Sequence, residues 1–359
     1  MIGKYCFQAA RVIIILGFII ALWPLASLGG TVKIEKISFA GWTNCYRMTN
    51  GEVELIAVAD IGPRIIHLGF VGGENLFNVS KNDLGLKQSD SWRSFGGHRF
   101  WIAPETVEFT YYPDMDELKV EVEGNKITLT APPEILDQDL RKQNLGFEEI
   151  EKRMAVSSFR KNLRIRKQMI VSMTDDGEIA VEHRAENCSL EPIGMAPWAL
   201  TVMRDGGTAI IPNPPFAPHG PGHFLPERAV ITWSYTDLAD PRLTYLKKYI
   251  TIRQEPSIKQ PIKIGFSDVQ GWVGYATKDV LFVKRLAYDP KDSYPDMGCS
   301  VEIFTNNAIL EVESLGPQKN LKPADAVSHT ERWKITKIKE IDGTEESIDQ
   351  AVKAAGLLK

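Results

Sequence analysis

Two glutamates dominate the chemistry this sequence offers. Over residues 296–317 the chain reads DMGCSVEIFTNNAILEVESLGP, with acids set inside what otherwise alternates like strand. Ser300, Glu302, Phe304 and Asn306 fall on one face, and Cys299, Val301, Ile303 and Thr305 on the other. In the next run Ile309, Glu311 and Glu313 share a face, opposite Ala308, Leu310 and Val312. Asn306-Asn307 suits a two-residue hairpin turn, because Asn tolerates the left-handed backbone conformation. Counting back from that turn pairs Phe304 with Ile309 and Glu302 with Glu311. Like charges directly opposite destabilise a sheet by roughly 0.2–1 kcal/mol. They also push at least one carboxyl pKa upward, as a general base working near neutral pH requires. The plainer alternative is a solvated face, or one acid paired with an Arg.

Residues 89–105, SDSWRSFGGHRFWIAPE, crowd Trp92, Phe95, Phe100 and Trp101 around Gly96-Gly97 and add Arg93, His98, Arg99 and Glu105. Rings interleaved with hydrogen-bonding groups suit a sugar, whose C–H faces stack on aromatics while its hydroxyls take polar contacts. His98 reads either as a satisfied structural residue or as a ligand contact, since the glycine pair would let backbone approach a ligand closely. Arg64, after Gly62-Pro63, either projects into a cleft or solvates a rim. His219 and His223 are four apart, but the prolines and glycines of PHGPGH forbid the helix that would aim both at one metal. No metal and no cofactor is expected, for no phosphate loop, nucleophile elbow, HExxH or CxxC occurs.

The elements that must carry these residues are strands. Period-two patterns cover 31–39, 45–59, 65–71, 119–129, 154–173 and 177–185, then 249–252, 262–266, 271–276, 280–285 and 330–341. A polar stretch at 137–151 reads as a surface excursion or short helix, 196–226 as a long loop dense in Pro and Gly, and 345–358 as an amphipathic helix. Residues 152–167 hold seven Lys or Arg; alternation makes a solvated strand face the first reading and contact with an acidic saccharide the second. Strands recurring about every ten residues indicate an all-β sandwich or barrel.

Composition narrows the partners. The 359 residues, 43% hydrophobic and 25% charged, suffice for a large core. A net charge of −4 and pI near 6.0 give no general attraction to nucleic acid. Lys4 and Arg11 precede an apolar run over 12–28 followed by small residues, so 1–30 read as a signal peptide or an N-terminal membrane anchor. The protein is expected to be periplasmic or secreted, touching a membrane only through that segment if it stays uncleaved. Cys45, Cys188 and Cys299 would remain after cleavage, too few for a disulfide scaffold, and read as core thiols.

The combination of SFGGHRFWIAPE, APWALTVM, GGTAIIP, WSYTDLADPR and YPDMGCSVEIFTNNAILEVESLGP with LKPADAVSHTERW resembles a bacterial group, the DUF4380 family, related to the galactose mutarotase-like or aldose 1-epimerase superfamily. The likeness covers about residues 34–338. It implies a β-supersandwich of stacked antiparallel sheets over 31–341, with 342–359 a C-terminal helical tail and a mono- or oligosaccharide as partner. In mutarotases a Glu removes the anomeric hydroxyl proton and a His protonates the ring oxygen. By this resemblance Glu302 is the base and His98, which matches a substrate-binding His, is the second catalytic residue, able to take over as the acid; Arg64 matches a sugar-binding Arg. Arg99, Trp101, Glu105, Trp198 and Glu311 complete the expected site. One departure stands out: Trp198 occupies the approximate place of the mutarotase acid His, and an indole cannot protonate a ring oxygen. The expected function is carbohydrate binding with aldose 1-epimerase-type isomerisation. The alternatives are a noncatalytic glycan-recognition module and, behind it, a polysaccharide lyase.

Overall fold

The computed structural model describes residues 31–89, 91–267 and 270–358; the signal-like segment 1–30 lies outside them. Among the described residues the strands form two stacked sheets of eleven and ten strands, antiparallel throughout. This is the sandwich expected from the strand spacing. The larger sheet runs from Lys33–Phe39 through Trp42–Thr49, Val53–Val58, Arg64–Phe70, His98–Ala103, Ile193–Met203, Leu310–Leu315, Val301–Thr305 and Ile262–Phe266 to Val230–Thr232. The smaller has Val280–Leu286, Ala326–Lys337 and Ile179–Asn187 at its centre.

Alternation explains the layering. In Ile165–Met173 and Ile179–Asn187 every second residue is buried and the intervening ones half-exposed, so one face of these strands packs inward. Leu55, Ile65, Val171, Val181, Ile264 and Ile303 meet between the sheets, each contributing about 1.5–3 kcal/mol on burial. The strands His98–Ala103, Val301–Thr305 and Leu310–Leu315 behave differently. They are buried on both faces apart from the half-exposed Phe304, so something covers the side turned away from the second sheet. That cover is a separate cluster in which Trp92, Trp101, Trp198, Trp233 and Cys299 pack together.

Several expectations are corrected. Residues 154–164 are not strand: Phe147–Arg153 and Ser157–Arg160 are helical, and the strand begins at Ile165. The basic run is not a solvated face, since Lys167 pairs with Asp114 and Glu134, Arg164 with Glu134, and Arg166 with Glu151 and Glu186. The supposed loop at 196–226 hides the eleven-residue strand Ile193–Met203 and the strand Thr208–Pro212. The final strand is Ala326–Lys337. The C-terminal helix, Glu345–Ala354, is capped by the Thr344 hydroxyl accepting from the Ser347 N–H. It lays Ile348, Ala351 and Val352 on the outside of the smaller sheet. Among the described residues Cys45, Cys188 and Cys299 are free and buried.

Candidate functional site

The hairpin at Asn306 sets the site. Its side-chain oxygen accepts from the backbone N–H of Ala308 at 2.7 Å and of Ile309 at 3.0 Å, the local bonding by which Asn closes a turn. Residues 306–309 therefore form a four-residue loop, and Thr305 pairs with Leu310. The expected two-residue turn is corrected, and with it the partner: Glu302 lies opposite Glu313, and Glu311 lies opposite Phe304. A shift of two residues keeps every side chain on its face. Two acids still oppose each other, with Glu313 in place of Glu311.

A lysine lies over this pair. Ile262–Phe266 turns Ile262 and Ile264 into the core and Lys263 the other way, beside Val301–Thr305. The Lys263 ammonium is 2.7 Å from Glu302 Oε2 and 3.1 Å from Glu313 Oε2, and it sits 4.5 and 4.8 Å from the ring centres of Trp198 and Trp233. Glu313 also accepts from the Trp198 indole N–H at 2.9 Å. Glu302 has no such donor, and neither of its oxygens has a well-aligned hydrogen bond among the described residues. Burial raises the Glu302 pKa well above the carboxylate range; Lys263 opposes this, and Glu313 and Asp296 add to it. Burial likewise raises Glu313. The Lys263 ammonium is itself penalised by burial, but the two carboxyls overcome this and raise its pKa.

Arg99 forms the second half of this buried polar layer. It reaches over Leu200 to Glu311, Nη2 to Oε1 at 2.8 Å, with its guanidinium 4.2 Å from the Trp101 ring centre and 5.8 Å from that of Trp92. Its Nε and Nη1, and the indole nitrogens of Trp92 and Trp101, are buried donors with no acceptor among the described residues. Trp101 and Trp198 meet edge to face at 5.4 Å. Above them Tyr111 donates to Glu105 at 2.6 Å. Burial and that carboxylate push the Tyr111 phenol up to about 12. A hollow of about 430 Å³ opens here, lined by Glu105, Thr106, Val107, Tyr111, Trp233 and Asp296. Trp233 links it to the acids beneath, since the same indole covers Lys263.

Glu302, Glu311, Arg99, Trp101, Glu105 and Trp198 are thus brought together. Arg64 shares the face and pairs directly with Arg99, but its guanidinium donates to the carbonyls of Ser94 at 2.9 Å and Gly96 at 2.8 Å. Burial first, then Arg99, lowers its pKa to about 9. It secures the loop that carries Trp92. Gly96 and Gly97 have positive φ, and a Cβ would fall 2.1 Å from the Asn78 carbonyl oxygen at Gly96 and 2.4 Å from the Ile65 carbonyl oxygen at Gly97. They admit neighbouring backbone, a correction to the expected approach of a ligand.

His98 is the main correction. It alternates with Arg99 and therefore points between the sheets, fully buried, while Glu302 points away from them. Its Nε2 is 2.7 Å from His183 Nε2 and its Nδ1 is 2.8 Å from Thr201 Oγ1. The protons follow from the partners. His183 Nδ1 faces the His329 carbonyl at 3.2 Å and must carry the hydrogen, so His183 Nε2 accepts from His98 Nε2–H, and His98 Nδ1 accepts from the Thr201 hydroxyl. Glu331 accepts from Lys284 at 2.8 Å, Trp333 Nε1 at 2.7 Å and Ser314 at 2.5 Å, and Ser314 Oγ lies 2.6 Å from His329 Nε2. His98, His183 and Glu331 place three ligand atoms within 4.8 Å of one another, yet hydrogen bonds already use the nitrogen lone pairs and Lys284 supplies the cation. This network joins the sheets.

Sequence reasoning missed Glu313, Lys263, Tyr111 and Trp233 as site residues. Lys263 carried one usable signal: in IKIGF it alternates with core isoleucines, so it had to lie on the opposite face.

No family profile matches the chain, and no characterised protein matches it by sequence. Solved structures do match by shape. A galactose mutarotase-like protein from Clostridium acetobutylicum aligns at TM-score 0.50 and 11% identity, over 86% of this chain and 99% of that one. Two proteins provisionally named as aldose 1-epimerases align comparably. The Klebsiella pneumoniae protein gives TM-score 0.51 and 8% identity over 91% and 87% of the two chains. The Escherichia coli K12 protein gives TM-score 0.50 and 10% identity over 86% and 100%. The chain also spans 46% of a TPR-domain containing protein from Parabacteroides distasonis, at TM-score 0.49 and 12% identity. The fold of this chain is that of the galactose mutarotase-like proteins.

Proposed function

We propose that the protein binds a carbohydrate in the recess lined by Glu105, Tyr111 and Trp233, above Arg99 and Lys263, and interconverts its anomers, as an aldose 1-epimerase-type isomerase. One observation carries this reading: among the described residues, donors on Arg99, Trp92 and Trp101 have no acceptor and the oxygens of Glu302 have no well-aligned hydrogen bond, only the Lys263 ammonium close by, and all lie buried among indole rings. Buried polar groups are ordinarily paired, so this set calls for a ligand dense in hydroxyls that also has apolar faces, which is a sugar. Glu302 exchanges the anomeric proton, the exposed Glu105 accepts a hydroxyl at the rim, and the buried Glu311 accepts another beside Arg99. Membership of the DUF4380 group and an extracytoplasmic location rest on the sequence motifs and the N-terminal segment.

The second reading, a noncatalytic glycan-recognition module, is favoured by the placement of His98, His183 and His329 between the sheets. NMR of anomer exchange on a panel of hexoses and uronic acids, beside calorimetric binding on the same panel, separates the two. Glu302→Gln is expected to lower exchange by about 10²–10⁴-fold while changing affinity only several-fold. Exchange that survives this substitution removes Glu302 from the chemistry, and binding without exchange in the wild type selects the recognition module.

A further inference from the structure

Beneath the recess one ammonium sits between two carboxyls that are both closed off from water. Glu302 and Glu313 are 0% and 1% exposed, Lys263 lies within 3.1 Å of each, and Arg99 is engaged with Glu311. A surplus negative charge in such a place is far costlier than a proton, so one carboxyl is held as the acid. Glu313 has the Trp198 indole N–H as well as Lys263; Glu302 has only the ammonium, close but poorly aligned, and the Cys299 thiol nearby. The other charged and titratable groups facing it, Asp296 and Tyr235 from the covering loops, add no cation. The proton belongs on Glu302.

We infer that Glu302 works as a neutral carboxylic acid that both gives and takes a proton, one side chain doing the work of a separate base and acid. This rests on the reading of the recess as a sugar site. The two oxygens of one carboxyl are spaced much like the ring oxygen and hydroxyl oxygen on an anomeric carbon, so one group can face both. As the bond from C1 to the ring oxygen breaks, its electron pair stays on that oxygen, which takes the Glu302 O–H proton. The anomeric hydroxyl gives its proton to the Glu302 carbonyl oxygen, and its electrons form the C1 carbonyl. The carboxyl ends neutral with its two oxygens exchanged, ready to run the step backwards after rotation about the C1–C2 bond. No histidine is needed, consistent with Trp198 standing where an acid is expected: it holds Glu313 as the anion that leaves Glu302 its proton.

Infrared difference spectroscopy of the free protein and NMR exchange rates across pH test this together. Near neutral pH the wild type is expected to show a protonated-carboxyl stretch that Glu302→Gln lacks, with exchange falling as pH rises. In Glu313→Gln, Lys263 pairs with Glu302 alone; the band should disappear near neutral pH, and exchange should return only on acidification. Lack of the band in the wild type, or exchange that falls on acidification as for a carboxylate base, overturns the inference while leaving the sugar reading intact. A band in a protein that neither binds nor turns over any sugar overturns the reading and the inference with it.

Discussion

Trp198 shows how much a single side chain decides here. Its indole N–H is the neutral donor that marks Glu313 out from Glu302. Trp198→Phe keeps an aromatic ring, though a smaller one, and removes the donor, leaving a buried carboxylate short of one bond; a loss of at least about 1–3 kcal/mol is expected in urea unfolding. An unchanged midpoint would mean that Lys263 alone satisfies Glu313. At this scale the sequence was half legible. Alternation placed Glu302 beneath a second acid, because a period of two needs no knowledge of the fold. Which acid it was depended on the Asn306 side chain closing a four-residue loop. Lys263 carries no sign in the sequence that it will bridge residues 39 and 50 positions away, since such contacts exist only once the sheet order is set.

Strands are the elements that divide labour in this molecule. In His98–Ala103, His98, Phe100 and Ile102 pack between the sheets while Arg99 and Trp101 lie beneath the recess, so neighbours in the chain serve opposite faces. Its entry is fixed by Gly97, whose φ is +69° and whose missing Cβ would meet the Ile65 carbonyl oxygen at 2.4 Å. Gly97→Ala is expected to cost on the order of 1–3 kcal/mol, read as a lower thermal midpoint; full stability would show that the strand can shift to accommodate a methyl group. Most strands were legible by alternation. Ile193–Met203 was not, because Pro197 and the glycines beyond it look like loop. Pro197 falls in the gap where this strand exchanges Lys319–Leu321 for Leu310–Leu315 as its neighbour, where a missing N–H breaks the ladder least. Residues 154–164 failed in the opposite sense, their mixed pattern satisfying either period.

At the scale of the whole molecule, the two sheets are joined by imidazoles that burial keeps neutral. Burial lowers His183 from 6.5 to about 4 and His329 from 6.5 to about 3, and it lowers His98 too. The unfolded chain takes up these protons first, so between pH 6.5 and 4 this group stabilises less as pH falls. Glu302 is raised, so the folded state holds its proton longer than the unfolded one; its contribution is present in acid and lost as pH rises. The two trends oppose each other in the wild type. Glu302→Gln removes the opposing carboxyl, and its urea midpoint should fall more steeply on acidification through this window. Parallel curves for the two proteins would mean that Glu302 ionises as an ordinary carboxylate. The sandwich itself was legible from strand spacing. The order of its strands was not, because the central ones are covered on both sides and their apolar runs carry no address.

The thinness of the larger sheet bears on how such a protein can diversify. Arg99, Trp101, Glu311 and Glu313 are odd-numbered positions whose even-numbered neighbours, from His98 to Ser314, glue the layers together. A library confined to the first set would vary what is recognised while the adhesive beneath goes untouched, whereas inserting one residue into either strand would exchange the two roles and forfeit both.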